Sequence, residues 1–110
     1  MNFDEYQKEA RKTAFYPGIN EGNLTYVTLG LTGEAGEVAE KVKKILRDQK
    51  GFVNETNQKE IKKELGDVLW YISNICNELK IELNDVALTN IDKLNSRLKR
   101  NKLTGSGDNR

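Results

Sequence analysis

Apolar residues recur along this chain at the three-to-four-residue spacing of amphipathic helices, and glycine, proline and asparagine interrupt them. Phe3, Tyr6, Ala10 and Ala14 predict a first helix over residues 3–14, followed by a turn-rich joint at Pro17, Gly18 and Asn20 to Asn23. Leu24, Val27, Leu31, Ala35, Val38, Val42, Ile45 and Leu46 predict a long second helix over 24–47. It tolerates Gly30, Gly33 and Gly36, each costing about 1 kcal/mol against alanine, so close approach of another helix is expected there. Residues 48–57, with Gly51 and two asparagines, read as a hairpin loop. A third helix is expected over 58–79 on Ile61, Leu65, Val68, Ile72, Ile75 and Leu79, and a fourth over 83–100 on Val86, Ala87, Ile91, Leu94 and Leu98. The fourth begins after Glu82, where serine or aspartate would make a better cap. Nothing alternates with the period of a strand. The expected fold class is all-α, a four-helix bundle in a single domain over 1–110, with 103–110 a flexible C-terminal tail by composition.

Composition narrows the chemistry. The 110 residues carry 18 Lys and Arg against 17 Asp and Glu, with one cysteine and no histidine. A net charge of +1 with interspersed signs gives no basic stripe, so no nucleic-acid partner is expected. Without histidine there is no Ser-His-Asp triad, Cys-His pair or histidine-ligated zinc, and one cysteine makes no internal disulfide. The longest apolar run, Val68 to Ile72, is far short of the ~18 residues of a membrane span, and the first residues include Asp4 and Glu5. A cytoplasmic, soluble protein with no membrane partner is expected.

Carboxylates remain as the chemical groups. Glu34 and Glu37 on the second helix, and Glu64 and Asp67 on the third, are each spaced i, i+3 and so share a helix face. One such doublet alone would read as a solvated face. Here the angular position matters: at about 100° per residue, Glu34 and Glu64 lie roughly 70° from the centre of their apolar stripes, and Glu37 and Asp67 roughly 130°, in the same rotational sense. If a short hairpin makes the two helices antiparallel, equal offsets bring all four acids to one rim. Like charges at ~4 to 6 Å raise one another's pKa, so such a group must take up protons, bind cations or recruit Lys and Arg. Oxygen-only ligands favour Mg2+, Mn2+ or Ca2+. The ferritin-like di-iron site needs histidine and is excluded. Mg2+ held by few carboxylates completes its shell with water and substrate phosphates, which suits phosphoanhydride hydrolysis.

Asn90, Lys93 and Arg97 flank the stripe of the fourth helix on the corresponding side, where they would face a triphosphate; an ordinary surface stripe is the other reading. Tyr71 projects between the directions of Glu64 and Asp67, either to stack on a base or to pack over the core rim. Lys41 reads as an i, i+4 partner of Glu37. Trp70, Tyr26 and Leu29 point away from their stripes and read as a surface for a second copy of the chain. Cys76 reads as a small buried hydrophobe.

Glu34-x-x-Glu37, residues 38 to 63, then Glu64-x-x-Asp67, together with Leu29 to Glu37, Lys63 to Tyr71, Asn90 to Leu94 and Gly105 to Arg110, resembles MazG-like nucleoside triphosphate pyrophosphohydrolases of the all-α NTP pyrophosphatase superfamily. The resemblance covers nearly the whole chain. It implies a homo-oligomer, dimer or tetramer, that uses Mg2+, with Mn2+ as a substitute, to hydrolyse (deoxy)nucleoside triphosphates to monophosphate and pyrophosphate in nucleotide-pool house-cleaning. It implies Glu34, Glu37, Glu64 and Asp67 as metal ligands and catalytic groups, one of them positioning or deprotonating the attacking water. It implies Tyr71 near the base, and Asn90 and Lys93 near metal and phosphates; Arg97 is added from its helix position alone. The Gly105 to Arg110 segment either closes over the site or stays disordered. The alternative from another class is a non-catalytic helical regulatory or interaction protein that binds nucleotide and metal.

Overall fold

Asparagine side chains mark where the first three helices begin. The side chain of Asn2 accepts from the Glu5 amide at 2.8 Å and starts α1 (Phe3–Arg11). Asn23 accepts from the Thr25 amide at 2.9 Å ahead of α2 (Thr25–Gln49). Asn54 and Asn57 exchange side-chain-to-backbone hydrogen bonds of 2.9 and 3.1 Å, a capping box that starts α3 (Glu55–Leu79) earlier than the expected residue 58. Asparagine stands at the third helical position, where glutamate or glutamine usually closes the box. α4 (Leu83–Lys99) has no cap of its own, and its first amide, Leu83 N–H, donates to Gln7 of α1 at 2.9 Å. The computed structural model describes residues 1–110, with no strand among them.

The link between α2 and α3 is therefore shorter than the expected 48–57 loop, and the two long helices pack against each other as an antiparallel hairpin. α1 crosses α3 and touches α4, while α4 touches α1 and α3 but not α2. α1 stops at Arg11 instead of running to residue 14. Ala14 and Tyr16 are thereby freed to turn inward from the joint, where they form the core with Val27. Ile19, Leu24, Trp70, Tyr71 and Ile75 pack around it.

That core corrects the expected outer face. The Trp70 ring is half-buried, donates from Nε1 to Thr13 Oγ1 at 2.8 Å and meets Tyr16 edge-on, because the α1–α2 joint folds back over it. Tyr26 stacks one face on Tyr16 yet stays exposed, and Leu29, 67% exposed, remains open as expected. The apolar stripes, conversely, are incompletely covered. Leu65 on α3, and Ile91 and Leu98 on α4, are more than half exposed. The chain's Cα radius of gyration is 16.8 Å, against about 13 Å for a compact domain of this length. Its accessible surface is 8114 Å², against about 6,200 Å² for a compact monomer of this mass.

The final residues form no regular element, yet they are tied to α4. Asp108 pairs with Lys93 at 3.1 Å and with Arg97, and Arg110 donates to the carbonyls of Lys102, Leu103 and Gly107. Positive φ at Gly105 and Gly107 lets the segment make this tight curl.

Candidate active site

The hairpin carries the acids. On α2 and α3 alike, the residue nearer the stripe is half-buried and its partner one turn on is exposed: Glu34 then Glu37, Glu64 then Asp67. Carboxylate oxygens of Glu34, Glu64 and Asp67 all lie within 4.8 Å of one another. Glu37 stands outside this tight group and lines an adjoining cleft of about 310 Å³ with Lys41, Lys44, Asn57 and Glu60. Lys41 turns across the hairpin to Glu64 at 3.5 Å instead of serving as the i, i+4 partner of Glu37. The antiparallel register makes Glu64 available to it, which spacing along α2 alone does not reveal.

The electrostatics follow from this geometry. Burial, then the charges of Asp67, Glu64 and Glu37, push the Glu34 carboxyl above its ordinary value. Tyr71 is pushed up by burial first, then by Tyr26, with the charges of Glu34 and Asp67 adding to the effect. Its ring lies over α2 at Gly30, where a Cβ would come within 2.1 Å of it. That contact accounts for one of the three glycines of α2. Around Gly33 and Gly36, and around Gly66 beside Asp67, a Cβ would meet open space. Tyr6 of α1, read from the sequence only as part of a helix stripe, also senses the site: burial, then the charge of Asp67, raise its phenol.

Asn90, Lys93 and Arg97 lie on α4. Asn90 is exposed, whereas Lys93 and Arg97 are engaged by Asp108, and no ion pair joins either cation to the acids of the hairpin. Arg97 is 5% exposed, with its Nε lacking a partner. Cys76 is buried and free, its thiol pushed up by burial.

Comparison with known proteins now decides the family. The model of the MazG nucleotide pyrophosphohydrolase domain matches residues 23–101, which contain the whole α2–α3 hairpin and α4. This chain belongs to the MazG family. It is also 48% identical over 114 residues to the "Gene 37 protein" of Mycobacterium phage L5, covering 100% of both chains. No solved structure matches it. MazG membership points to a hydrolase acting on nucleotides, and MazG enzymes generally depend on a divalent metal. The donor set fits such an ion: three converging carboxylates, no histidine, and one lysine to offset the charge. No helix of this MazG chain is long and apolar enough to cross a membrane.

Proposed function

We propose that this MazG protein hydrolyses (deoxy)nucleoside triphosphates to the monophosphate and pyrophosphate in a Mg2+-dependent reaction, with Mn2+ as a substitute, in a cytoplasmic house-cleaning role. The observation that carries the reading is the convergence of Glu34, Glu64 and Asp67 within 4.8 Å, too many negative charges for one lysine to neutralise. These three carboxylates would hold the metal, with Glu37 beside them. A divalent ion bound there supplies Lewis acidity toward phosphate oxygens and a lowered pKa for water. Of the four, Glu37, exposed and outside the tight group, is the one we assign to orient the attacking water and accept its proton instead of ligating the metal. The water oxygen forms the new P–O bond, the phosphoanhydride bond breaks, and pyrophosphate leaves. Tyr71 is assigned to the base, and Asn90, Lys93 and Arg97 to the polyphosphate, as family position and α4 chemistry suggest.

The same reading includes a homo-oligomer, dimer or tetramer. The chain exposes roughly 1,900 Å² more than a compact monomer of its mass, and a standard interface buries about 800 Å² per partner. The exposed apolar residues of α4 are the natural place for a second copy.

Incubation with a panel of triphosphates and Mg2+, followed by separation of pyrophosphate from orthophosphate, tests the activity. Monophosphate and pyrophosphate in equal amounts are expected. Orthophosphate alone would place the cut at a different bond, and no turnover on any nucleotide would reject the enzyme. Light scattering tests the assembly, for which a monodisperse monomer is the contrary result.

A further inference from the structure

Glu78, near the end of α3, is the buried carboxylate of this chain, and the reaction proposed above does not use it. Its side chain is fully shielded. Oε2 accepts from the Tyr16 hydroxyl at 2.5 Å, from Arg11 Nη2 at 2.9 Å and from the Asn20 amide at 3.3 Å, while Oε1 has no partner. Arg11 donates in addition to the Tyr16 hydroxyl at 2.7 Å and to Asn74 Oδ1 at 3.1 Å. A buried ion pair is a poor source of net stability, since apolar side chains of the same volume often serve as well, whereas its directional bonds fix geometry.

The geometry fixed here is that of Tyr16, whose hydroxyl is gripped from two sides. Its ring stacks on Tyr26 with centroids 5.3 Å apart and an interplanar angle of 4°. Tyr26 retains 44% exposure and lies 6.5 Å from the ring of Tyr71. Tyr71 is wedged against Gly30, which stands one turn before Glu34 on α2, and itself follows Asp67 by one turn on α3. A continuous series of contacts thus runs from the buried carboxylate to the edge of the acidic site.

We propose that Glu78, together with Arg11, is a positioning residue for nucleotide binding. It acts through Tyr16 to hold Tyr26 and Tyr71 as a fixed aromatic wall beside Glu34 and Asp67. It touches neither substrate nor metal, and the inference rests on the hydrolase reading above. Its effect belongs in nucleotide affinity, because what it holds still is a surface for an aromatic base, not a reacting group.

The test uses Glu78→Gln, which removes the charge that draws in the Tyr16 hydroxyl and Arg11, and Tyr16→Phe, which removes the hydroxyl itself; both preserve shape. In both, KM for the accepted triphosphate is expected to rise about five- to tenfold, with kcat and the Kd for Mn2+ alone staying within about twofold. The emission of Trp70, the chain's one tryptophan, should shift, since its ring meets both Tyr16 and Tyr71. Parental KM and parental emission in the folded variants would overturn the proposal. So would a loss of kcat that only tracks the loss of folded protein, which is what a purely structural role predicts. Should Glu78→Gln fail to fold, Tyr16→Phe decides by the same criteria. If the parent turns over no triphosphate, the hydrolase reading falls. The positioning inference is then judged on the Kd of the same triphosphates for Tyr16→Phe against the parent, and an unchanged or absent affinity overturns it.

Discussion

Near the C-terminal end of α3, Glu78 meets Arg11, the Tyr16 hydroxyl and the Asn20 amide. About three to four turns earlier on the same helix, Glu64 and Asp67 meet Glu34 and a single lysine. Burial penalises the charge of both Glu78 and Glu34. At Glu78 the hydrogen bonds from Tyr16 and Arg11 outweigh that penalty and hold the carboxyl below its ordinary value. At Glu34 the neighbouring acids add to it and push the carboxyl up. In one region the charge is answered within the chain by Arg11, and in the other like charges face one another with a single lysine between them. A folded carboxylate is therefore structural or functional according to what the tertiary neighbours supply, not according to residue type.

That contrast is open to being broken by substitution. The largest effect is expected at the acidic rim: Glu37→Gln should lower kcat by about 10²- to 10⁴-fold with helicity unchanged by circular dichroism. An active Glu37→Gln would remove this residue from the mechanism. Next comes Glu78→Ala, which leaves Arg11 without its buried partner and should cost roughly 3 kcal/mol in urea unfolding. In the metal-free protein, Glu34→Gln should act with the opposite sign, raising stability by roughly 0.5 kcal/mol as one like charge leaves the group. If both substitutions destabilise equally, the distinction between the two regions is lost.

The glycines sharpen the comparison. Gly30→Ala drives a Cβ into Tyr71 and should destabilise by about 1–3 kcal/mol, whereas Gly36→Ala, with open space around it, should stabilise by up to about 1 kcal/mol. Chemical denaturation of the two variants checks the pair.

The smallest effect is the pH dependence. Glu78, with its folded pKa lowered, contributes stability that is present above its ordinary value of 4.5 and is lost as pH falls below that through the lowered value. Glu34, raised above 4.5, binds its proton more tightly folded than unfolded, so metal-free stability falls as pH rises from 4.5 through the raised value. Melting curves across this range, with and without Mg2+, should show the second slope vanish when the ion is added, while the first persists in both.

The sequence by itself determined the four helices and the pairing of acids on them, because helical period and i, i+3 spacing are local properties of the backbone. It placed Glu34 and Glu64 nearer their stripes than Glu37 and Asp67, and the burial follows that order. It did not place the start of α3, because the capping box of Asn54 and Asn57 uses an unusual partner. Only the tertiary structure decided that Gln7 caps α4, that Lys41 reaches Glu64, and that Trp70 and Tyr26 face the joint. The same holds for the grip of Arg11 and Tyr16 on Glu78, more than sixty residues away along the chain. Each of these contacts joins segments whose proximity depends on how the helices cross and where the joint folds back, and no local period encodes that.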